Sequence, residues 1–166
     1  TYVKDDKQAD FITMLQAGLA FQHEGAVGGL RLGGEVTQQL FADRTTFNNT
    51  AEQLMLTWQY ALSKRHHLQV DERFSHAEEP RSFEEAFGQT NGRYGYYRNR
   101  FAAAYLRDLA RQLTIGIDYA NDVDAPSRDD LASSLAHRGS VTVEYRLDSA
   151  RSARLFSEVV SRAFDP

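Results

Sequence analysis

The chain contains no cysteine, so disulfide scaffolds, thiolate metal centres and cysteine nucleophiles are all excluded. Lysine is nearly as scarce. Lys4, Lys7 and Lys64 stand beside 16 arginines, which are scattered and form no basic run. Nineteen basic against 23 acidic residues give a net charge of −4, which offers no reason to expect a nucleic-acid partner. Only three prolines occur, and no stretch approaches the roughly 20 consecutive apolar residues of a membrane-spanning helix. A mean hydropathy of −0.54 leaves a membrane barrel open, because only alternate residues of each strand in such a barrel face lipid.

What the chain has is alternation. Within residues 50–62, Leu54, Leu56, Trp58, Tyr60 and Leu62 fall on one face, and Gln53, Met55, Thr57, Gln59 and Ala61 on the other. Residues 112–120 set Leu113, Ile115, Ile117 and Tyr119 against Thr114, Gly116 and Asp118, and residues 140–147 set Val141, Val143, Tyr145 and Leu147 against Thr142, Glu144 and Arg146. Residues 68–75, 11–22, 30–40 and 94–106 follow the same period. Residues 153–164 follow it least clearly, since Leu155 and Val159 oppose Phe156 and Val160. This predicts eight strands of about 9–13 residues, longer than the ~5–6 of a mean soluble strand and close to the ~9–11 that cross a bilayer.

The connections alternate in length. Short turns are predicted near 24–25, 63–66, 108–111 and 148–152, and longer polar links over 42–49, 76–92 and 121–137. Pro80, Pro126 and Pro166 are all expected outside strands, where no ladder hydrogen bond is lost. Tyr60, Tyr105 and Tyr145 each precede a short turn, where an interfacial aromatic girdle would lie. The reading is therefore all-β: an antiparallel up-and-down transmembrane β-barrel with about eight strands present. Residues 1–166 would form a single barrel segment, incomplete at both ends and part of a larger barrel.

The polar face suggests a wet lumen. Arg31, Glu35, Asp71, Arg73, Arg98, Arg100, Asp118, Glu144 and Arg146 are expected to line it, either guiding a polar or anionic polymer or bracing the wall through charge pairs. Asp118 is the expected neighbour of Arg98 and Arg100. Glu72 falls on the apolar face, and is placed near the outside end of its strand, where a charge costs least.

No catalytic constellation emerges, and no cofactor or metal is expected. His66 and His67 are adjacent and point to opposite faces. Asp118, Asp122, Asp124, Asp129 and Asp130 read as a solvated acidic loop without EF-hand spacing. The glycines at 28, 29, 33 and 34 lack the lysine and helix of a phosphate loop. Ser82-Phe83-Glu84-Glu85 resembles a helix capping box.

Residues 5–13, Asp-Asp-Lys-Gln-Ala-Asp-Phe-Ile-Thr, resemble the early barrel of outer-membrane proteins tied to exopolysaccharide production and export. Ala9 stands where that family usually carries Ser in an S-D-F-I-T segment. The stretches Tyr97-Arg98-Asn99-Arg100-Phe101 through Gly116, and His137-Arg138 through Glu144-Tyr145-Arg146-Leu147, look like two of its hairpins. The resemblance implies a bacterial outer-membrane barrel and suggests passage of a polysaccharide or other polar solute. Lipid and lipopolysaccharide are the expected surroundings, with polysaccharide or a lumen or periplasmic protein as a further partner, and the lack of any convergent acid/base motif predicts no enzymatic activity. A scaffold whose lumen holds a partner protein, and a soluble all-β carbohydrate-binding domain, are the alternative readings.

Overall fold

The computed structural model describes residues 11–43, 45–78, 95–127, 131–148 and 150–165. Eight strands form one antiparallel sheet in simple sequence order: β1 (Ile12–Glu24), β2 (Gly28–Phe41), β3 (Asn49–Ser63), β4 (His66–Ala77), β5 (Tyr96–Ala110), β6 (Leu113–Pro126), β7 (Ser133–Arg146) and β8 (Ser152–Asp165). Every strand pairs with its neighbours in the chain. The ladder does not close, since β1 pairs only with β2 and β8 only with β7.

The strands run longer than their alternation predicts. The clearest departure is the link expected over 121–137: β6 continues through Pro126 and β7 begins at Ser133, so most of it is strand. Backbone pairing to β5, from Ala102↔Ala120 up to Tyr96↔Pro126, carries the polar run as regular sheet. Pro126 therefore lies inside a strand, as its last residue, where it forfeits least of the ladder. Glu72 also moves: it sits in the middle of β4, five residues from the strand's loop end at Ala77 and paired with Leu56 and Phe101. The capping-box residues 82–85, Asp129, Asp130 and residues 5–10 lie outside the described residues.

Register decides which side chains share a face. Tyr60, Leu68, Tyr105, Ile117 and Val141 form one continuous row across five strands, and Leu30, Trp58, Val70, Ala103 and Tyr119 form the next. Leu54, Leu56, Leu113, Ile115, Val143 and Tyr145 belong to the same face. Two register irregularities, at Leu62 and Leu109, sit beside the turns of the β3–β4 and β5–β6 hairpins. A bulge adds one residue to one strand. At the hairpin end it leaves the parity of the remaining pairs untouched.

Nothing covers the apolar face among the described residues. Besides strands, the described residues form a single 3-10 turn, Thr45–Phe47. The buried apolar residues are Ala51, Ala77, Tyr96 and Ala136, while Leu19 is 86%, Leu155 73%, Leu54 57% and Ile117 54% exposed. A contiguous apolar surface of this extent marks a contact with something other than water.

Gly28 opens β2 opposite Tyr60. A Cβ there would meet the Gln59 carbonyl oxygen at 2.3 Å and the Tyr60 ring at 3.1 Å, and the first of these is backbone that cannot swing away. Gly28→Ala is expected to destabilise the sheet by about 1–3 kcal/mol, read as a lower midpoint of thermal or urea unfolding. A second expectation concerns the β7–β8 turn. The Asp148 carboxyl is held below its ordinary 3.8 by the Arg151 side chain, helped by the Ala150 and Arg151 N–H groups. Because the folded value is the depressed one, this contribution is complete above 3.8 and is lost as pH falls through the lower folded value. Amide exchange at Ala150 and Arg151 should accelerate over that acid window in the native chain, and Asp148→Asn should exchange fast at every pH.

Candidate functional site: the charged face

The face opposite the apolar one is built by the same register. All nine residues singled out from the sequence share it: Arg31 and Glu35 on β2, Asp71 and Arg73 on β4, Arg98 and Arg100 on β5, Asp118 on β6, and Glu144 and Arg146 on β7. Their partners differ from expectation. Asp118 stands opposite Ala104 and accepts a hydrogen bond from Ser140 Oγ at 3.1 Å, away from the arginines. Arg98 is matched by Asp124 and Arg100 by Asp122, both directly across the β5–β6 ladder.

Those two aspartates join the candidate site from a stretch whose composition predicts a loop. The signal was present: Asp118, Ala120, Asp122 and Asp124 keep period two against Tyr119, Asn121, Val123 and Ala125. The Arg98–Asp124 pair is the more enclosed, with side-chain exposures of 11% and 28%. Arg100 Nε lies 2.9 Å from Asp122 Oδ1, which is buried and holds the contact as an ion pair without an aligned hydrogen bond. Arg138 and Arg154, also unforeseen, reach Glu158 at 3.6 Å and Glu144 at 3.0 Å across β7 and β8. Arg31 contacts Glu24 at 3.2 Å. The side chains of Glu35 and Arg146 make no ion pair among the described residues and stand apart from the rest.

Thr57 Oγ1 donates to Asp71 at 2.9 Å and Gln69 Nε2 donates to its other oxygen at 2.7 Å. Asp71, Arg73, Arg100, Asp122 and Arg138 surround a groove of about 460 Å³. Ala102 and Ala120, side by side in the ladder, form its floor, because two methyl groups leave a depression between longer neighbours. A smaller groove of about 190 Å³ adjoins it and shares Met55, Arg73 and Arg100 as a common wall. The arrangement can bind and orient charged or hydroxylated groups.

His67 falls on the charged face at the start of β4, and the other histidines lie on the apolar side. His76 lies 3.6 Å from Glu52 and stacks on Tyr97, and His137 lies 2.8 Å from the Tyr119 hydroxyl, both on the apolar side near the loop end. His66 Nδ1 lies 2.5 Å from the Tyr105 hydroxyl beside a short turn. Comparison with protein-family models, with curated proteins and with solved structures found no match for the chain.

The ladder pairs on this face should differ in weight. Asp124→Asn takes the charged ladder partner from a largely enclosed guanidinium, and is expected to cost about 1.5–3 kcal/mol. Glu158→Gln relaxes an exposed pair, and is expected to cost under about 1 kcal/mol. Unfolding midpoints of the two variants under the same conditions measure the contrast.

Proposed function

We propose that this sheet is part of the wall of a bacterial outer-membrane β-barrel, with its charged face lining a lumen that passes a polysaccharide or another polar solute. The observation that carries the reading is the contrast between the two faces of a single uncovered sheet. One is continuous and apolar with no packing partner among the described residues; the other holds guanidinium–carboxylate pairs in register. A soluble domain would turn its apolar face onto a core. A barrel turns it onto lipid and keeps its charges in the wet interior.

Dimensions agree. From Tyr60 to Glu52 the apolar face of β3 runs eight residue steps, roughly 27 Å along the strand and roughly 20 Å along the normal at a tilt of about 40°. Trp58 stacks on Tyr60 at 5.8 Å near the short-turn end, in the manner of an interfacial girdle. In lipid, each unpaired backbone group costs several kcal/mol, so the free edges of β1 and β8 must be paired, by each other or by further strands of a larger ring. The likeness of the β5–β6 and β7 stretches to exopolysaccharide-associated barrels favours a saccharide cargo.

Trp58 is the only tryptophan and so reports insertion cleanly. Its emission should shift to the blue when the urea-unfolded chain is diluted into zwitterionic vesicles, and should not do so on dilution into buffer alone. In planar bilayers, Arg98→Glu with Arg100→Glu gathers four carboxylates across β5 and β6 and should move the reversal potential towards cation selectivity. Adding Asp122→Arg and Asp124→Arg should restore it. An inserted chain that conducts nothing would instead indicate a scaffold with a filled lumen, and an unshifted Trp58 would remove the membrane reading.

A further inference from the structure

We infer that the groove over Ala102 and Ala120 is a subsite for one acidic sugar of a saccharide chain, with Arg73 gripping its carboxylate; this rests on the lumen reading and names its substrate class. The starting point is an imbalance. Arg98, Arg100, Arg138 and Arg154 each face a carboxylate. Arg73, exposed on the same face, makes no hydrogen bond or ion pair among the described residues. Across the ladder it meets Met55 on one side and Arg100 on the other. A thioether cannot neutralise a guanidinium, and a like charge directly opposite repels it.

The nearby acids are already engaged. Asp71 is held by Thr57 and Gln69, and Asp122 by Arg100. Arg73 nevertheless lines both grooves, so its fork is open to a ligand from either. A guanidinium binds a carboxylate through two parallel N–H···O bonds, a geometry that a lysine could not supply.

The rest of the groove selects against other anions. Asp71 and Asp122 beside Arg73 repel a densely charged polyanion such as nucleic acid or polyphosphate. They suit a unit with one anionic group and several hydroxyls, whose O–H groups can donate to those carboxylates. The Ala102 and Ala120 methyls and Met55 give apolar ground for the C–H face of a sugar ring. A volume of about 460 Å³ falls in the usual range of small-ligand sites.

The test uses the full chain folded in detergent micelles. Fluorescently labelled hexagalacturonate and neutral maltohexaose are titrated by anisotropy against the native chain, Arg73→Gln, Arg73→Lys and, as a control in a distant turn, Arg65→Gln. The native chain and the Arg65 variant should bind the uronate and prefer it to the neutral hexamer. Arg73→Gln should weaken uronate binding by about tenfold or more, and Arg73→Lys, which keeps the charge but loses the fork, should fall between. Circular dichroism verifies the sheet in each variant, and Arg73→Lys decides the matter if the glutamine variant does not fold. Equal binding of the two hexamers, or an Arg73 variant indistinguishable from native, overturns the subsite. The titration needs neither insertion nor conductance. A chain that binds uronate through Arg73 without inserting would sink the lumen reading alone, and one that inserts without binding uronate would sink the subsite alone.

Discussion

Unbroken antiparallel register is the constraint on which everything else in this sheet depends. Side chains alternate with period two, so a slip of one residue in any strand would exchange its apolar and charged faces. Seven successive ladders hold the same parity from β1 to β8, and both bulges lie at hairpin ends where they cannot spread. Small residues help to keep the strands in place. Gly28 lets the Tyr60 ring lie across the start of β2, and Gly116 lets Leu106 approach from β5. Two faces of opposite character are thus a consequence of backbone pairing, with no second layer among the described residues to sort them.

The charged face owes its order to pairing between strands. Direct ladder neighbours supply Arg98 with Asp124 and Arg100 with Asp122, and Glu144 meets Arg154 in the same way. Arginine suits such positions better than lysine, because its planar fork can keep one carboxylate while presenting further N–H groups to the groove. The near absence of lysine from the strands is in keeping with that demand.

Much of this was legible in the sequence, and the failures have physical causes. The alternation of Leu54 to Tyr60, Leu113 to Tyr119 and Val141 to Tyr145 placed strands and faces correctly, because period two is a direct imprint of the pleat. Residues 121–126 were read as a loop, because Asn121, Asp122, Asp124 and Pro126 are poor strand formers in isolation. Pairing with β5 and charge matching by Arg98 and Arg100 override that preference. The partners of the arginines were missed with them. The bulges at Leu62 and Leu109 left no mark that alternation could reveal. In β8, Phe156, Val160 and Phe164 make the charged face apolar in places, which blurs the period without changing the strand.

The strictly sequential strand order carries a consequence for growth of the architecture. Among the described residues each strand hydrogen-bonds only to the strands before and after it, so no backbone ladder joins strands distant in the chain. Such a meander behaves as a one-dimensional array of hairpins, assembled by short-range closures that cost little chain entropy. Duplication or loss of a whole hairpin would preserve both the parity of the faces and the local geometry of the remaining pairs. The width of the sheet is then free to vary in steps of two strands, while the chemistry of each hairpin's two faces is inherited intact.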